Sequence, residues 1–280
     1  MARLGGNQYG KLRVRLSRIT RHSDRHDFQE WNVGVLVRGD FDDSFTKADN
    51  GNILPTDTMK NTVYSIARDS GARTIEEFSV ELCDYLLKNN SHVTGATVDI
   101  SERAWRPMLL DSEPEPHTFK LEGPELQTAQ AIGTRTGSWS VRSGIEGLTV
   151  LKTTKSGFEG FLKDKLTTLK PVSDRIFGTS MTATWQFASP TPEYASVRTQ
   201  VTSSLMKEFA AHDSKSVQHT LFDMAKAALA AAPAIARITL TMPNLHHLLA
   251  DLRPYGQDNP NHIFVPIDEP HGYIEAMVER

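Results

Sequence analysis

The chain reads as an α+β protein made by tandem duplication, and three features of its pattern say so. Strand-like alternation and helix-like periodicity fall in separate blocks. The order strand pair, helix pair, strand pair occurs twice. The 280 residues also exceed the roughly 100–150 of a usual single core. Leu12, Val14 and Leu16 alternate with Lys11, Arg13 and Arg15, which gives a half-buried strand with Lys11 on the face opposite the apolar residues. A second strand follows over residues 32–38, with Val33, Val35 and Val37 on one face. Pro55 pushes the residue before it out of the helical region. Thr56, Asp57 and Thr58 are natural N-cap residues, and Met59, Val63 and Ile66 then recur at helical spacing. A second helix opens with Thr74-Ile75-Glu76-Glu77, a capping box, and carries Phe78, Leu82 and Leu86 on one stripe. Strands are expected near residues 96–100 and 117–122, joined by the Pro/Glu-rich loop 111–116.

The second half repeats this order. Residues 138–141, 148–152 and 182–187 are strand-like. One helix carries Val197, Val201, Leu205 and Phe209; another starts near Ser216 and carries Val217, Leu221, Met224 and Ala228. Strands near 238–242, 262–266 and 273–277 complete it. The expected units are 1–135 and 136–280, divided near residues 133–137. An antiparallel sheet with helices on one face leaves its other face to be covered, and self-association is the economical way to cover it.

Composition narrows the partners. Lysine and arginine total 31 against 34 acidic residues, a net charge of −3, which gives no reason to expect nucleic acid or a membrane surface. Arg13, Arg15, Arg18, Arg21 and Arg25 crowd the first strand, where a solvated face accounts for them. The single cysteine, Cys83, falls between Leu82 and Leu86 in a helical stripe, so a buried inert thiol is expected, with no internal disulfide and no cysteine-built metal site. The alanine-rich run 225–232 is too short to span a bilayer, contains Lys226 and is ended by Pro233. The start of the chain lacks the layout of a secretory leader, and the end is not a Ser-Lys-Leu address. A cytoplasmic protein is expected.

A helix start bearing hydroxyls, a carboxylate and free N–H groups at Thr56–Asp57 can hold an anionic or carbonyl-rich small molecule. Its significance comes from the clusters that accompany it: Tyr9-Gly10-Lys11, Thr56-Asp57, Phe158 with Arg175, Val217-Gln218, and Asn244-Leu245-His246. In this order and spacing the chain resembles the urate oxidase (uricase) family, from Asn7 to its C-terminal end. Lys60-Asn61-Thr62-Val63-Tyr64, Gly157-Phe158-Glu159-Gly160-Phe161-Leu162 and Thr167-Thr168-Leu169 add to the match. The resemblance implies a tandem T-fold, whose subunits form a homotetramer around a tunnel with active sites between subunits. It also implies urate and O2 as substrates, 5-hydroxyisourate and hydrogen peroxide as products, and no cofactor or metal.

The residues suit that task. In the family the counterpart of Lys11 pairs with that of Thr56 to relay protons from the substrate, and His246 resembles the third relay member. An amine drawn out of water gives up its proton more readily, which fits a general base. Histidine switches charge near neutral pH. Arg175 and Gln218 resemble the pair that grips the substrate edge: a guanidinium fork neutralises an anion, and a carboxamide both donates and accepts. Val217 would add a backbone N–H, and Phe158 would stack on the purine for about 1–3 kcal/mol. Thr56 and Asp57 would meet the opposite edge of the ring with helix-start N–H groups. Asn244, with Thr56, would hold O2 or the hydrolytic water above the ring. Because Thr56–Asp57 and Val217–Gln218 both open helices, two positive helix ends from neighbouring subunits would converge on one anion. Glu159 is a departure that adds a charge beside this pocket.

Taken by themselves, these residues also have ordinary explanations. Lys11 could be a solvated strand lysine, Arg175 a surface ion pair, Phe158 core packing, and His246 a histidine after a turn. Two other functions compete: another T-fold purine or pterin enzyme, zinc-dependent, and a non-catalytic purine-binding tetramer. The first needs clustered histidine or cysteine ligands. His246 and His247 are adjacent and would point to opposite faces of a strand.

Overall fold

The computed structural model describes residues 2–137, 139–188 and 193–280. The fold is mixed α+β, and the chain divides into two compact units, residues 1–145 with 186–195, and residues 146–185 with 196–280.

In the first unit, strands β1 (Tyr9–Arg21), β2 (His26–Gly39), β3 (Val93–Leu110) and β4 (Glu113–Thr134) lie side by side and antiparallel, with β5 (Trp139–Lys152) next in order. Ser138, where the sequence suggests this last strand begins, lies outside the described residues. A short helix α1 (Asp42–Thr46) precedes the main pair, α2 (Thr56–Asp69) and α3 (Ile75–Asn89). Helix α2 packs on β1, and α3 packs on β3 and β4. The core between helices and strands takes Val33, Val35 and Val37 from β2, Met59 and Val63 from α2, and Phe78, Leu82 and Leu86 from α3. These are the stripes that the periodicity predicts. Thr74 accepts from the Glu77 N–H and the Glu77 carboxylate returns to the Thr74 N–H, so the capping box forms.

The loop expected at 111–116 shrinks to a two-residue turn. Asp111 and Ser112 have φ of 50° and 72°, and β3 and β4 pair up to Leu110↔Glu113. Two successive positive-φ residues make the tight turn whose twist matches a hairpin, and Asp tolerates that region. The Pro/Glu-rich residues after the turn belong to a strand.

A larger correction lies in β1. A strict alternation puts Lys11 opposite Val14 and Leu16, but the register jumps between Lys11 and Val14, so that Lys11 faces Val35 and Val14 faces Val33. The extra residue is accommodated at Leu12–Arg13, with Arg13 at φ 60°. Such a bulge inverts side-chain parity. Lys11 therefore shares the helix-covered face with Val14, while Leu12 is turned out and 58% exposed.

The second unit takes the rest of β5, then β6 (Phe177–Phe187), β7 (Ile235–Thr241) and β10 (Glu275–Glu279) in sheet order. Strand β8 (Asn244–Leu249) pairs with β6 and with β9 (Phe264–Ile267). Helices α4 (Tyr194–Ala211) and α5 (Val217–Ala231) carry the predicted stripes, and Val201, Leu205, Leu221 and Met224 are fully or nearly fully buried. Among the described residues no helix is long and apolar enough to cross a membrane.

Candidate functional site

In the first unit β1 packs against α2, which opens with Thr56 and Asp57. The bulge puts Lys11 on the face that the helices cover, and its charge acts weakly on the Asp57 carboxyl. Tyr9 fixes the other side of the arrangement. Its hydroxyl donates to the Leu54 carbonyl at 3.1 Å and accepts from the Leu54 N–H at 2.8 Å. The chain entering α2 is thereby tied to β1 two residues before Lys11. The Tyr9-Gly10-Lys11 cluster marked this strand, but only the structure shows why a tyrosine stands there: its phenol satisfies both backbone groups of Leu54.

The helix start is not capped by Thr56, Asp57 or Thr58. Pro55 is the N-cap, with no side-chain cap bond, and Thr56 is the first helical residue. Proline has no N–H and an extended ψ of 138°, so the helix begins one residue earlier than capping chemistry suggests. The Met59 N–H reaches the Pro55 carbonyl at 3.1 Å. The N–H groups of Thr56, Asp57 and Thr58 have no partner among the described residues. The Asp57 carboxylate bonds to Lys60 and, at 3.1 Å, to Asn61. The Lys60 hydrogen bond, Lys60's charge and, more weakly, Lys11 hold it below its usual range. The side chain thus folds back along the helix and leaves the N–H groups clear.

In the second unit Phe158, Arg175, Val217 and Gln218 are positioned by one backbone construction. The Ser156–Phe158 segment is laced on both sides. The Arg175 N–H donates to the Ser156 carbonyl, the Gly157 N–H to the Ser214 carbonyl and the Phe158 N–H to the Val172 carbonyl, all at 2.7 Å. Gly157 is required there, because a Cβ would stand 2.8 Å from the Ser173 carbonyl oxygen. Ser214 leads directly to Ser216, which caps α5 by accepting from the His219 N–H at 3.1 Å. That leaves the Val217 and Gln218 N–H groups at the helix mouth. Val217 packs inward, and Gln218 is exposed.

Arg175 does not form the surface ion pair its neighbour Asp174 invites. Asp174 is taken by the Thr154 hydroxyl at 2.8 Å and the Ser156 N–H at 3.2 Å. The Arg175 guanidinium lies 5.5 Å from the Phe158 ring centroid. Its Nε is buried without a hydrogen-bond partner among the described residues, and no carboxylate there pairs with it. Burial alone lowers its pKa. An arginine partly withdrawn from water without an acid partner is electrostatically poised for an anion. The Phe158 ring stacks on Phe161 at 5.0 Å and 10°, a support that the Gly157–Leu162 segment contained but sequence reasoning did not single out. Glu159 is exposed.

Asn244 and His246 lie on β8, two residues apart and so on one face, with Asn244 Nδ2 3.3 Å from His246 Nδ1. Asn244 is opposite Thr179 of β6. The pKa of His246 is depressed first by burial, then by the charges of Arg175 and His271. A histidine held neutral below its ordinary range can accept a proton across the neutral region. The structure therefore gathers Phe158, Arg175, Asn244 and His246 in one unit and Lys11, Thr56 and Asp57 in the other.

Comparison with known proteins gives a consistent result over the whole chain. The Uricase family model matches residues 7–132 and 141–275. Uricase from Arthrobacter globiformis is 40% identical over 277 residues, covering 99% of this chain and 90% of that protein. Uricase from Dictyostelium discoideum is 36% identical over 283 residues, covering 100% and 98%. The crystal structure of the Arthrobacter globiformis uricase superposes with a TM-score of 0.94, covering 100% of this chain and 96% of that one. A hyperthermostable mutant of urate oxidase from Bacillus sp. TB-90, 21% identical with a TM-score of 0.87 and coverage of 98% and 99%, shares the fold. The chain belongs to the uricase family.

Proposed function

We propose that the protein is a urate oxidase, converting urate, O2 and water to 5-hydroxyisourate and hydrogen peroxide without a cofactor or metal. The observation that carries the site assignment is Arg175, a half-buried cation whose buried Nε has no partner among the described residues, beside the half-buried ring of Phe158. A flat, anionic purine is the ligand for which such a pair is built: the ring stacks and the guanidinium neutralises. Gln218 and the Val217 N–H would complete the grip on that edge. The free N–H groups of Thr56 and Asp57 would take the opposite edge, the second of two helix N-termini directed at one anion.

Lys11, Thr56 and His246 then act as the proton relay. Removing a further proton from urate raises its highest occupied level, and this makes electron transfer to O2 feasible. The amine takes the proton through the Thr56 hydroxyl, and neutral His246 accepts it in turn. Asn244, with Thr56, holds O2 and then the attacking water over the ring, where confinement keeps peroxide intermediates from escaping. The two residue groups lie in different units of a duplicated chain, 1–135 and 136–280 in the sequence reading. We read the enzyme, as the family resemblance implies, as a cytoplasmic homotetramer whose sites combine the first unit of one subunit with the second unit of another.

The test is an aerobic assay that follows loss of the urate ultraviolet band together with peroxide release. Wild-type protein should turn over after dialysis against chelator. Lys11→Met and Thr56→Ala should each lose about 10²–10⁴-fold in kcat, the range for a positioned acid–base group. Near-normal rates in both variants would remove the relay assignment. A requirement for added metal or flavin would remove the cofactor-free reaction, and urate binding without peroxide would mark a binding protein.

A further inference from the structure

We infer that His212, His219 and Asp223 form a transition-metal site that ties the end of α4 to the first turn of α5. Nothing in the urate chemistry uses these residues, and the inference does not rest on it. The sequence conceals the cluster, because the two histidines are seven residues apart and belong to different elements. His212 directly follows α4, while His219 and Asp223 are one helical turn apart on α5.

Two of the separations match those of ligands around one ion. His219 Nε2 lies 3.2 Å from Asp223 Oδ2, and His212 Nδ1 lies 3.6 Å from the same oxygen. A tetrahedral ion with bonds of about 2.0–2.2 Å separates its ligand atoms by about 3.3–3.5 Å, between those two values. All three ligand atoms lie within 4.8 Å of one another. The imidazoles stand edge to face, centroids 4.7 Å apart at 67°, so their nitrogens converge without the rings clashing.

His212 supplies the independent indication. Its side chain is only 9% exposed. Nδ1 approaches Glu208 and Asp223 at 3.6 Å each, beyond hydrogen-bond reach, and Nε2 is buried with no partner among the described residues. A buried imidazole normally secures at least one such bond. Asp223 is meanwhile oriented from outside the cluster. Lys226 Nζ holds its Oδ1 at 3.2 Å and leaves Oδ2 for the ion, the kind of outer-shell support that metal carboxylates have. His219 is 52% exposed in its side chain, which gives the ion an entry path and leaves the fourth position to water. Two imidazoles and one carboxylate suit Zn2+ and its tetrahedral surrogate Co2+. Because His219 adjoins Gln218, the bound ion would also stiffen the mouth of α5.

Chelator-stripped full-length protein, titrated with Zn2+ by calorimetry and with Co2+ by visible absorption, tests this. One ion per subunit is expected, with the intense visible bands of tetrahedral Co2+ and an unfolding midpoint that rises until one equivalent is bound. His219→Ala, at an exposed position that leaves the fold intact, and Asp223→Asn should weaken binding at least by the 10–100-fold that loss of an outer-shell partner alone causes. No stoichiometric binding by the wild type would overturn the site. So would binding of equal affinity in both variants, which would place the metal elsewhere.

Discussion

Gly10→Ala is the change that couples fold to proposed chemistry most directly. A Cβ at Gly10 would stand 1.8 Å from the Val35 carbonyl oxygen, where real Cβ contacts essentially never fall below 3.0 Å. The obstacle is backbone, so no rotamer change relieves it. Strand β1 must retreat from β2 by more than about 1 Å beside Lys11↔Val35 and Gly10↔Leu36. Leaving about two backbone hydrogen bonds unmade there costs about 2–5 kcal/mol, or a melting midpoint lower by about 3–9 °C for a chain of this size. The same retreat moves Lys11 away from Asp57, on whose carboxyl its charge acts, and a displacement of about 1 Å at a reacting group costs up to about 10²-fold in rate. Thermal unfolding and aerobic urate oxidation measure the two effects on one sample. Gly5→Ala, at a position with nothing within 4 Å of the added methyl, is the control. A Gly10→Ala protein that melts and turns over like the control would refute both the close approach and the positioning of Lys11.

Three further outcomes follow from the geometry. Tyr9→Phe deletes both bonds to Leu54 and should cost about 1–3 kcal/mol of stability while lowering kcat more than it raises KM, since it loosens Thr56 against Lys11; an unchanged kcat would show that the tether is only structural. Arg175→Lys replaces a planar fork by a point charge and should raise KM for urate at least about tenfold, checked by steady-state kinetics. Burial, Arg175 and His271 all lower the pKa of His246, so it stays neutral into acid, and kcat/KM falls only below the ordinary histidine range. His271→Gln removes one positive charge, raises that pKa and should move the acid limb to higher pH; an unmoved limb would mean that His246 does not control it. The same depression makes folding less favourable as pH falls through the ordinary histidine range, because the unfolded chain takes up the proton first.

Most of the architecture was legible because apolar periodicity reports burial on one face. The stripes of α2, α3, α4 and α5 and the valines of β2 are buried as the pattern requires. What escaped were features that periodicity cannot encode. The bulge at Leu12–Arg13 reverses parity for a local backbone reason, and the turn at Asp111–Ser112 depends on two positive φ values. The site residues were visible as clusters, but their supports were not. The Tyr9 tether, the Phe158–Phe161 stack and the lacing of Ser156 and Gly157 to Arg175 and Ser214 link residues between 3 and 57 positions apart. Such links exist only once the chain is folded. The units divide at residues 145–146, and residues 186–195 return to the first; composition near 133–137 marks a turn in the chain but not that return.

Cys83 has a practical corollary. Its side chain is fully buried, its Sγ reaches the carbonyls of Ala96 and Ala131, and burial pushes the thiol up to about 12. The native molecule is therefore silent toward maleimides and disulfide reagents, and any cysteine engineered onto its surface becomes the sole reactive handle. Dyes, spin labels or covalent staples can be installed at chosen positions without first deleting a native residue.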